Sequence, residues 1–236
     1  MKVIILAGGK GRRLYPYTVV LPKPLMPIGD FPILEVILRQ LKSCHLVDIT
    51  LAVGHLGNLI QTFFGDGSKW GVNIEYSFEE KPLGTVGPLT RLNNLDQTFM
   101  VLNGDLLTTL NYLNLIKYHK KQNAIATVAA QKRWVDVDFG VIQKDKDESM
   151  VKYIEKPRLS YLVSMGIYLF EPEILNFIPK DEKFDFPDLM QLLLQKGKKV
   201  GIYNSDDFWL DIGRPDDYQK AVEEFEKNRK RFLNQE

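Results

Sequence analysis

The feature that most limits what this chain can fold into is a repeated alternation between short apolar runs and longer amphipathic ones. VIIL (Val3 to Leu6), DITLAV (Asp48 to Val53), VNIEYS (Val72 to Ser77), TFMVLNGD (Thr98 to Asp105) and AIATVAA (Ala124 to Ala130) read as strands. Several are apolar throughout instead of alternating, the pattern of strands covered on both faces. Between them lie helix-like runs: Pro32 to Lys42, roughly His55 to Phe64, one beginning near Thr85, and about Leu110 to Lys120. A β-α-β rhythm of this kind calls for a mostly parallel sheet with helices on both faces.

After Ala130 the rhythm changes. GVIQKD, MVKYIEKP and VSMGIYLF are short strand-like runs separated by turns, as in an antiparallel or mixed extension of the sheet. EPEILNFI and FPDLMQLLLQKG read as helices, VGIYNSD and DFWLDIG as strands. RPDDYQKAVEEFEKNRKRF reads as a charged amphipathic helix with Pro215 in its first turn. No Gly-, Pro- or Ser-rich stretch resembles a linker, so one domain with an α/β front and an α+β back is expected. With 44% hydrophobic residues, 236 residues can bury a substantial core.

Charge narrows the partners. With 31 basic and 30 acidic side chains the net charge is +1, which gives no general field for nucleic acid, so an anion site must be local. A single cysteine, Cys44, excludes an intramolecular disulfide framework and fits a reducing cytoplasm. Gly8 and Gly9 cut the first apolar run short, so it is no signal peptide, and no apolar run reaches the ~18 residues of a membrane span. Cytoplasmic location without membrane attachment is the expectation.

The segment from Ala7 to Phe31 is long for a loop, and long loops in compact domains are commonly functional. It opens with AGGKGRR, where Gly8, Gly9 and Gly11 allow close backbone approach and Arg12 and Arg13 offer donors suited to phosphate. Pro16, Pro22, Pro24 and Pro27 stiffen it and frame Lys23. The glycine pattern is neither a Walker A loop nor a dinucleotide fingerprint. A basic loop leaving the carboxyl end of a parallel strand is nonetheless where open α/β sheets bind ligands. Asp105, at the end of a buried strand, reads either as a turn or capping aspartate or as a carboxylate that is paired, solvated or metal-bound. Glu79 and Glu80 read either as a solvated pair or as base-reading acceptors. Guanine offers two adjacent donors to a carboxylate, whereas uracil and thymine offer one donor between two carbonyls, which favours GTP.

LAGGKGRRLYPYT, LPKPL and PILE together resemble the signature of sugar-1-phosphate nucleotidylyltransferases, the NDP-sugar pyrophosphorylases. PLGTVGPL is similar to the mannose-1-phosphate guanylyltransferase branch, and VLNGD, YIEKP and WLDIG follow in family order, from Met1 to about Tyr218. The resemblance implies a single-domain Rossmann-like (GT-A-like) α/β fold over residues 1–236, with residues 1–130 mainly nucleotide-binding and 131–236 mainly sugar-phosphate-binding. It implies Arg13, Lys23 and Asp105 as catalytic residues. Leu6, Ala7, Gly8, Gly9, Gly11, Arg13, Lys23, Glu79, Pro82, Gly84, Thr85, Asn103 and Gly104 would bind the nucleotide, with Gly84 and Thr85 opening a helix whose free amides face it. Gly140, Glu155, Lys156, Ser164 and Gly166 would bind the sugar phosphate. Asp105 and Asp211 would bind Mg²⁺. Arg12, where many relatives have threonine, has no role in this pattern, and the residue near Ser164 is often asparagine or threonine in relatives, which leaves the sugar open.

The implied reaction is Mg²⁺-dependent transfer of a nucleotidyl group from an NTP to a sugar 1-phosphate, GTP and a mannose- or heptose-type sugar being favoured, for GDP-sugar and polysaccharide biosynthesis. A uridylyl-, thymidylyl- or cytidylyltransferase acting on glucose 1-phosphate stays open, as does a non-catalytic subunit that senses an NDP-sugar. A glycosyltransferase is disfavoured because NGDLL lacks an Asp-x-Asp pair, and a choline-phosphate cytidylyltransferase because the sugar-pocket motifs are extended. The hexapeptide-repeat β-helix of larger relatives is not expected. Partners are the two substrates and neither nucleic acid nor membrane, and homo-oligomerisation is left open.

Overall fold

The structure, a computed structural model, describes residues 1–79 and 81–233. The chain opens with β1 (Lys2–Ala7), the two-residue strands β2 (Pro27–Ile28) and β3 (Phe31–Pro32), α1 (Ile33–Ser43), β4 (Asp48–Val53), α2 (Gly57–Phe64) and β5 (Asn73–Phe78). It continues through β6 (Phe99–Asn103), β7 (Leu106–Thr108), α3 (Tyr112–Gln122), β8 (Ala126–Asp136), β9 (Val141–Lys144), β10 (Met150–Ile154) and β11 (Arg158–Phe170). It closes with α4 (Phe186–Gln195), β12 (Val200–Asn204), β13 (Trp209–Asp211), α5 (Pro215–Lys227) and α6 (Arg229–Leu233). No helix among the described residues is long and apolar enough to cross a membrane.

Seven strands form one sheet in the order β12-β8-β11-β6-β1-β4-β5. Only β11 runs antiparallel to its neighbours, so the sheet is mixed but mainly parallel. The expected antiparallel extension is instead a central insertion, since β11 lies between β6 and β8. Alternate residues of each central strand feed two cores, because successive side chains point to opposite faces. Val3 and Ile5 join one cluster with Ile37, Leu41, Phe64, Leu115, Phe225 and Phe232, so that face carries five of the six described α-helices. Ile4 and Val101 join the other with Leu89, Ile174, Phe186 and Leu193. On that second face α4 is accompanied by 3₁₀ segments at Gly87–Arg91 and Pro172–Phe177, in place of the α-helices expected near Thr85 and over EPEILNFI. Proline in the first turn is not what shortens them, since α4 and α5 also carry one there and continue as α-helices.

Two further departures shape the site. DFWLDIG does not enter the main sheet. Its strand β13 pairs antiparallel with β7, with Asp211 opposite Leu106. The outer parts of β8 and β11 run beyond the sheet as a two-stranded ribbon, Asp136 opposite Arg158 at its tip, with the β9–β10 hairpin between them. Many large apolar residues there are exposed, Phe139 at 78% and Met150 at 62% among them.

Candidate active site

The carboxyl ends of β1, β4 and β6 meet where the glycines are. His55 donates its amide to the Gly8 carbonyl at 3.3 Å, and a Cβ on Gly54 would lie 2.9 Å from that oxygen. Gly104 likewise donates to the Leu6 carbonyl at 2.9 Å. Gly11 takes φ +60°, and a Cβ there would meet Thr18 Cγ2 at 2.8 Å, while Thr18 donates its hydroxyl to the Gly11 carbonyl. This turn therefore requires glycine, and it starts the short helix Arg12–Leu14 that presents both arginines.

The proline-framed segment then folds back. Lys23 is 8% exposed, and its ammonium pairs with Asp105 Oδ2. Burying an ammonium is tolerable only against an opposite charge, and Asp105 supplies it. Asp105 is brought to Asp211 by the backbone, since Ile212 donates its amide to the Asp105 carbonyl at 3.1 Å. Burial raises the Asp211 carboxyl above the usual range, the Asp105 charge adds to the rise, and Lys23 and Arg13 oppose it. Arg13 packs over the following turn, where a Cβ on Gly213 would lie 3.3 Å from its Cζ.

Two cavities open on this cluster. One, of about 240 Å³, is lined by Leu6, Ala7, Gly9, Gly11, Arg12, Arg13, Lys23, Pro24, Gly104, Asp105 and Gly213. Its neighbour, of about 330 Å³, is lined by Leu6, Gly8, Gly9, Glu79, Pro82, Gly84, Thr85, Asn103, Asp105 and Lys183. Leu6, Gly9 and Asp105 belong to both walls, so the two make one cleft. Every residue expected at the nucleotide thus lines that cleft. Asp211 stands just behind it, bonded through its neighbour to Asp105.

The expected helix opening at Gly84 and Thr85 is not formed. The Thr85 amide and hydroxyl donate to Asp185 Oδ1 at 2.9 and 3.2 Å, and the amides of Val86 and Gly87 donate to the Phe184 carbonyl. The amides read as free for an anion are therefore occupied by the segment leading into α4. Glu79 is half-buried, accepts the Leu83 amide at 3.2 Å on Oε2, and has its carboxyl pushed up by burial, an effect that this bond and Arg91 reduce. Glu80 lies outside the described residues.

The residues expected at the sugar phosphate are less gathered. Gly166 takes φ +70° in the irregular stretch of β11, and a Cβ there would lie 2.6 Å from Asn103 Nδ2, so it abuts the cleft wall. Ser164 accepts the Gly166 amide at 3.2 Å and donates to the Tyr168 hydroxyl at 2.9 Å. Gly140, Glu155 and Lys156 belong to the β9–β10 hairpin region. A Cβ on Gly140 would lie 2.1 Å from the Tyr153 hydroxyl, which donates to Glu155 Oε2. Lys156 takes φ +44° and is exposed. None of these three lines the cleft.

The family model described as nucleotidyl transferase matches residues 2–228. The chain belongs to that family. It is 36% identical over 242 residues to a UTP–glucose-1-phosphate uridylyltransferase of Synechocystis, covering 94% of this chain and 62% of that protein. To a mannose-1-phosphate guanyltransferase of Yarrowia lipolytica it is 34% identical, covering 92% and 62%. The chain thus spans under two thirds of the length of these curated relatives. Among solved structures, a Bacillus anthracis protein provisionally named a glucose-1-phosphate thymidylyltransferase, crystallised with sucrose, superposes with TM-score 0.75 at 28% identity, covering 94% of each chain. The chain shares the fold of that neighbour.

The donor set also bears on a divalent cation. Asp105 Oδ1 is a buried acceptor without a hydrogen-bond partner. Such an orphan is costly in a protein interior unless something absent from the polypeptide meets it. A carboxylate oxygen beside another carboxylate suits a hard cation that retains waters and takes phosphate oxygens. Among the described residues no group of three or more His, Cys, Asp or Glu could hold a metal, so a cation at Asp105 and Asp211 would have only these two carboxylates as protein ligands.

Sequence reasoning leaves one group in these walls without a role and misses another. Arg12, which has no role in the family pattern, lines the cleft beside Arg13 and also the adjoining cavity around Lys10 and His55. Lys183 sits in an exposed polar run, PKDEKFD, with no local sign of where it goes.

Proposed function

We propose that this chain transfers a nucleotidyl group from a nucleoside triphosphate to a sugar 1-phosphate, releasing pyrophosphate, with GTP and a mannose- or heptose-type sugar favoured. The observation that carries the reading is the cleft wall shared by Lys23, Arg13 and Asp105, with the buried Oδ1 of Asp105 left without a hydrogen-bond partner. The family match and the names of its relatives support the reaction class, and those names divide between guanosine and uridine nucleotides.

The second ionisation of a phosphate monoester lies near ~6, so a sugar 1-phosphate arrives as its own nucleophile. Its oxygen attacks the α-phosphorus, a new P–O bond forms, and the bond to pyrophosphate breaks with the electron pair leaving on oxygen. No side chain has to be deprotonated first. The protein's part is to hold two polyanions in line and to neutralise the charge that develops. Arg13 and Lys23 hold the triphosphate, Glu79 takes the base donors, and Lys156 with Glu155 meets the sugar phosphate and its hydroxyls. Gly140, Ser164 and Gly166 shape the sugar side. Asp105 and Asp211 would hold Mg²⁺, which would supply charge neutralisation at the phosphates. Lys23 and Asp105 already neutralise each other, so the triphosphate enters a cleft whose buried cation is fixed in place. In this reading residues 1–130 mainly serve the nucleotide and residues 131–236 the sugar phosphate, and a cytoplasmic location goes with the substrates.

The test is pyrophosphate release from GTP, UTP, dTTP, CTP and ATP, each paired with several sugar 1-phosphates in Mg²⁺. Release with GTP and mannose 1-phosphate, abolished by EDTA, is the expected result. Release with no pair overturns the enzyme reading in favour of an NDP-sugar sensor. Preference for UTP or dTTP overturns the assignment of guanine.

A further inference from the structure

The segment before α4 comes from the far part of the chain, yet it forms part of the nucleotide cleft. Phe184 donates its amide to the Leu83 carbonyl at 2.9 Å, and the Phe184 carbonyl takes the Val86 and Gly87 amides at 3.1 and 3.2 Å. Phe186 donates its amide to Thr85 Oγ1 at 2.8 Å, and Asp185 takes the Thr85 donors already described. A Cβ on Gly84 would lie 2.5 Å from the Phe184 carbonyl oxygen, so the two segments touch backbone to backbone. Asp185 is also the N-cap of α4, with Asp188 completing a capping box. Lys183, one residue before this stitched stretch, is anchored to the wall by its neighbours, not by its own side chain.

Lys183 lines the cavity with Glu79, Pro82, Gly84 and Thr85, the one of the two that Lys23 does not line. It is 70% exposed, and its ammonium stands 3.7 Å from Asp185 Oδ2. The cavity lining thus includes a donor-only cation and, in Glu79, an acceptor-only carboxylate. Glu79 Oε2 is engaged by the Leu83 amide, and Oε1 faces Gly8, where a Cβ would lie 3.4 Å from it.

A nucleobase meets these two groups through the edge that distinguishes lactam from amino bases. Guanine places a carbonyl oxygen, O6, beside a ring N–H. Uracil and thymine place O4 beside theirs. Adenine and cytosine present the reverse, an amino donor beside a ring nitrogen with a lone pair. With a lactam base the lysine finds the carbonyl and the glutamate finds the N–H. With an amino base both contacts are mismatched, donor against donor and lone pair against carboxylate.

We infer that Lys183 is a base-reading residue which, together with Glu79 of the same cavity, restricts the nucleotide to lactam bases. This rests on the reading that the cleft holds a nucleoside triphosphate, and it adds a side chain and a rule that the nucleotidyl-transfer reaction does not require. A lysine serving only the phosphates would act on every nucleotide equally. A base-reading lysine acts on guanosine and uridine nucleotides and leaves the weak binding of adenosine and cytidine nucleotides nearly unchanged.

The experiment compares wild type with Lys183→Met, Lys183→Glu and Lys183→Arg in two assays: KM and kcat for each nucleoside triphosphate, and equilibrium binding of GTP, UTP, ATP and CTP without sugar phosphate. Losing a charge-assisted hydrogen bond predicts that Lys183→Met weakens GTP and UTP binding by about 10- to 100-fold. ATP and CTP change by less than about 3-fold, so the discrimination narrows by the difference. Lys183→Glu reverses the charge and narrows it further, and Lys183→Arg restores most of it. An unchanged ratio of GTP to ATP binding in Lys183→Met overturns the inference, as does an equal loss for all four nucleotides or a wild type that binds ATP as tightly as GTP. Wild type that discriminates bases in binding but releases no pyrophosphate would sink the enzymatic reading and leave the role of Lys183 standing. Lys183 is exposed, so an unchanged melting temperature confirms that each variant is folded.

Discussion

The two parts of the proposed site are built in different ways. Arg13, Lys23 and Asp105 share one cavity wall, the Lys23 ammonium pairs with Asp105, and the Ile212 amide ties the turn after β13 to the Asp105 carbonyl between β6 and β7. Glu155, Lys156 and Gly140 sit on a ribbon that projects beyond the sheet, where the burial pattern is almost wholly exposed. In the first part the fold sets the geometry before any ligand arrives, and it accepts a buried ion pair and an orphan carboxylate oxygen in order to do so. In the second the geometry is local to a hairpin. Preorganisation of charge is worth most where water is excluded, so the catalytic contribution should be concentrated in the first part and the second should govern affinity.

Substitution on the two sides separates these roles most sharply. Asp105→Asn and Lys23→Ala are each expected to lower kcat by about 100-fold or more, on the scale of removing a preorganised electrostatic group. The loss should appear as kcat with NTP saturating. Each variant leaves one charge of the buried pair uncompensated, so the melting temperature should fall, and circular dichroism below it should show the fold retained. Full turnover in either variant would break the contrast at its strong end. Lys156→Ala and Glu155→Ala, on the exposed hairpin, should raise KM for the sugar phosphate by about 10-fold and leave KM for the NTP within about 2-fold, as loss of one charge-assisted contact predicts. Their melting temperatures should match wild type. A change in NTP affinity instead would mean that the ribbon reaches the other side of the cleft.

The same contrast explains what can be seen in the sequence. β1, β4 and β6 are legible because strands buried on both faces must be apolar throughout, and the glycines that follow them mark the turns where backbones approach closely. Lys23 and Asp105 are legible as charges in surroundings that do not favour charge, although the family resemblance assigns one to phosphate and the other to metal without bringing them into contact. The position of β11 is not legible, because an apolar run of that length reads the same at the edge of a sheet or at its centre. Nor is the Thr85 loop. PLGTVGPL has the local signs of a helix start, and what overrides them is Asp185, 100 residues away in the chain. Lys183 follows that same nonlocal contact into the cleft and carries no signal of its own.

Gly166 joins the two parts. Its φ of +70° and the 2.6 Å separation that a Cβ there would have from Asn103 Nδ2 make Gly166→Ala strained in backbone and crowded at once. The expected cost is about 1–3 kcal/mol of stability, read as a fall of several degrees in melting temperature. Because Asn103 lines the cleft, NTP affinity should fall with it. A variant as stable as wild type would show that the β11 bulge is free to shift, and that the two sides are less firmly joined than the strand register implies.

The smallest effect on stability is expected at Gly9, and it isolates the reason for the glycines. A Cβ on Gly9 meets nothing within 4 Å, unlike one on Gly11 or Gly54, so the fold does not require glycine there. Yet Gly9 lines both parts of the cleft and the neighbouring cavity around His55. Gly9→Ala should therefore alter unfolding free energy by no more than about 0.5 kcal/mol, the range of an unconstrained surface change. NTP binding should nevertheless weaken, because a methyl group would stand where a ligand approaches the backbone. Gly11→Ala should lose stability as well as binding, since its turn requires the left-handed conformation and Thr18 fills the space. If the two variants behave alike in urea denaturation and in nucleotide titration, the distinction fails and the glycines of AGGKG serve the turn alone. If they separate, Gly9 is a glycine kept for the ligand and Gly11 one kept for the fold.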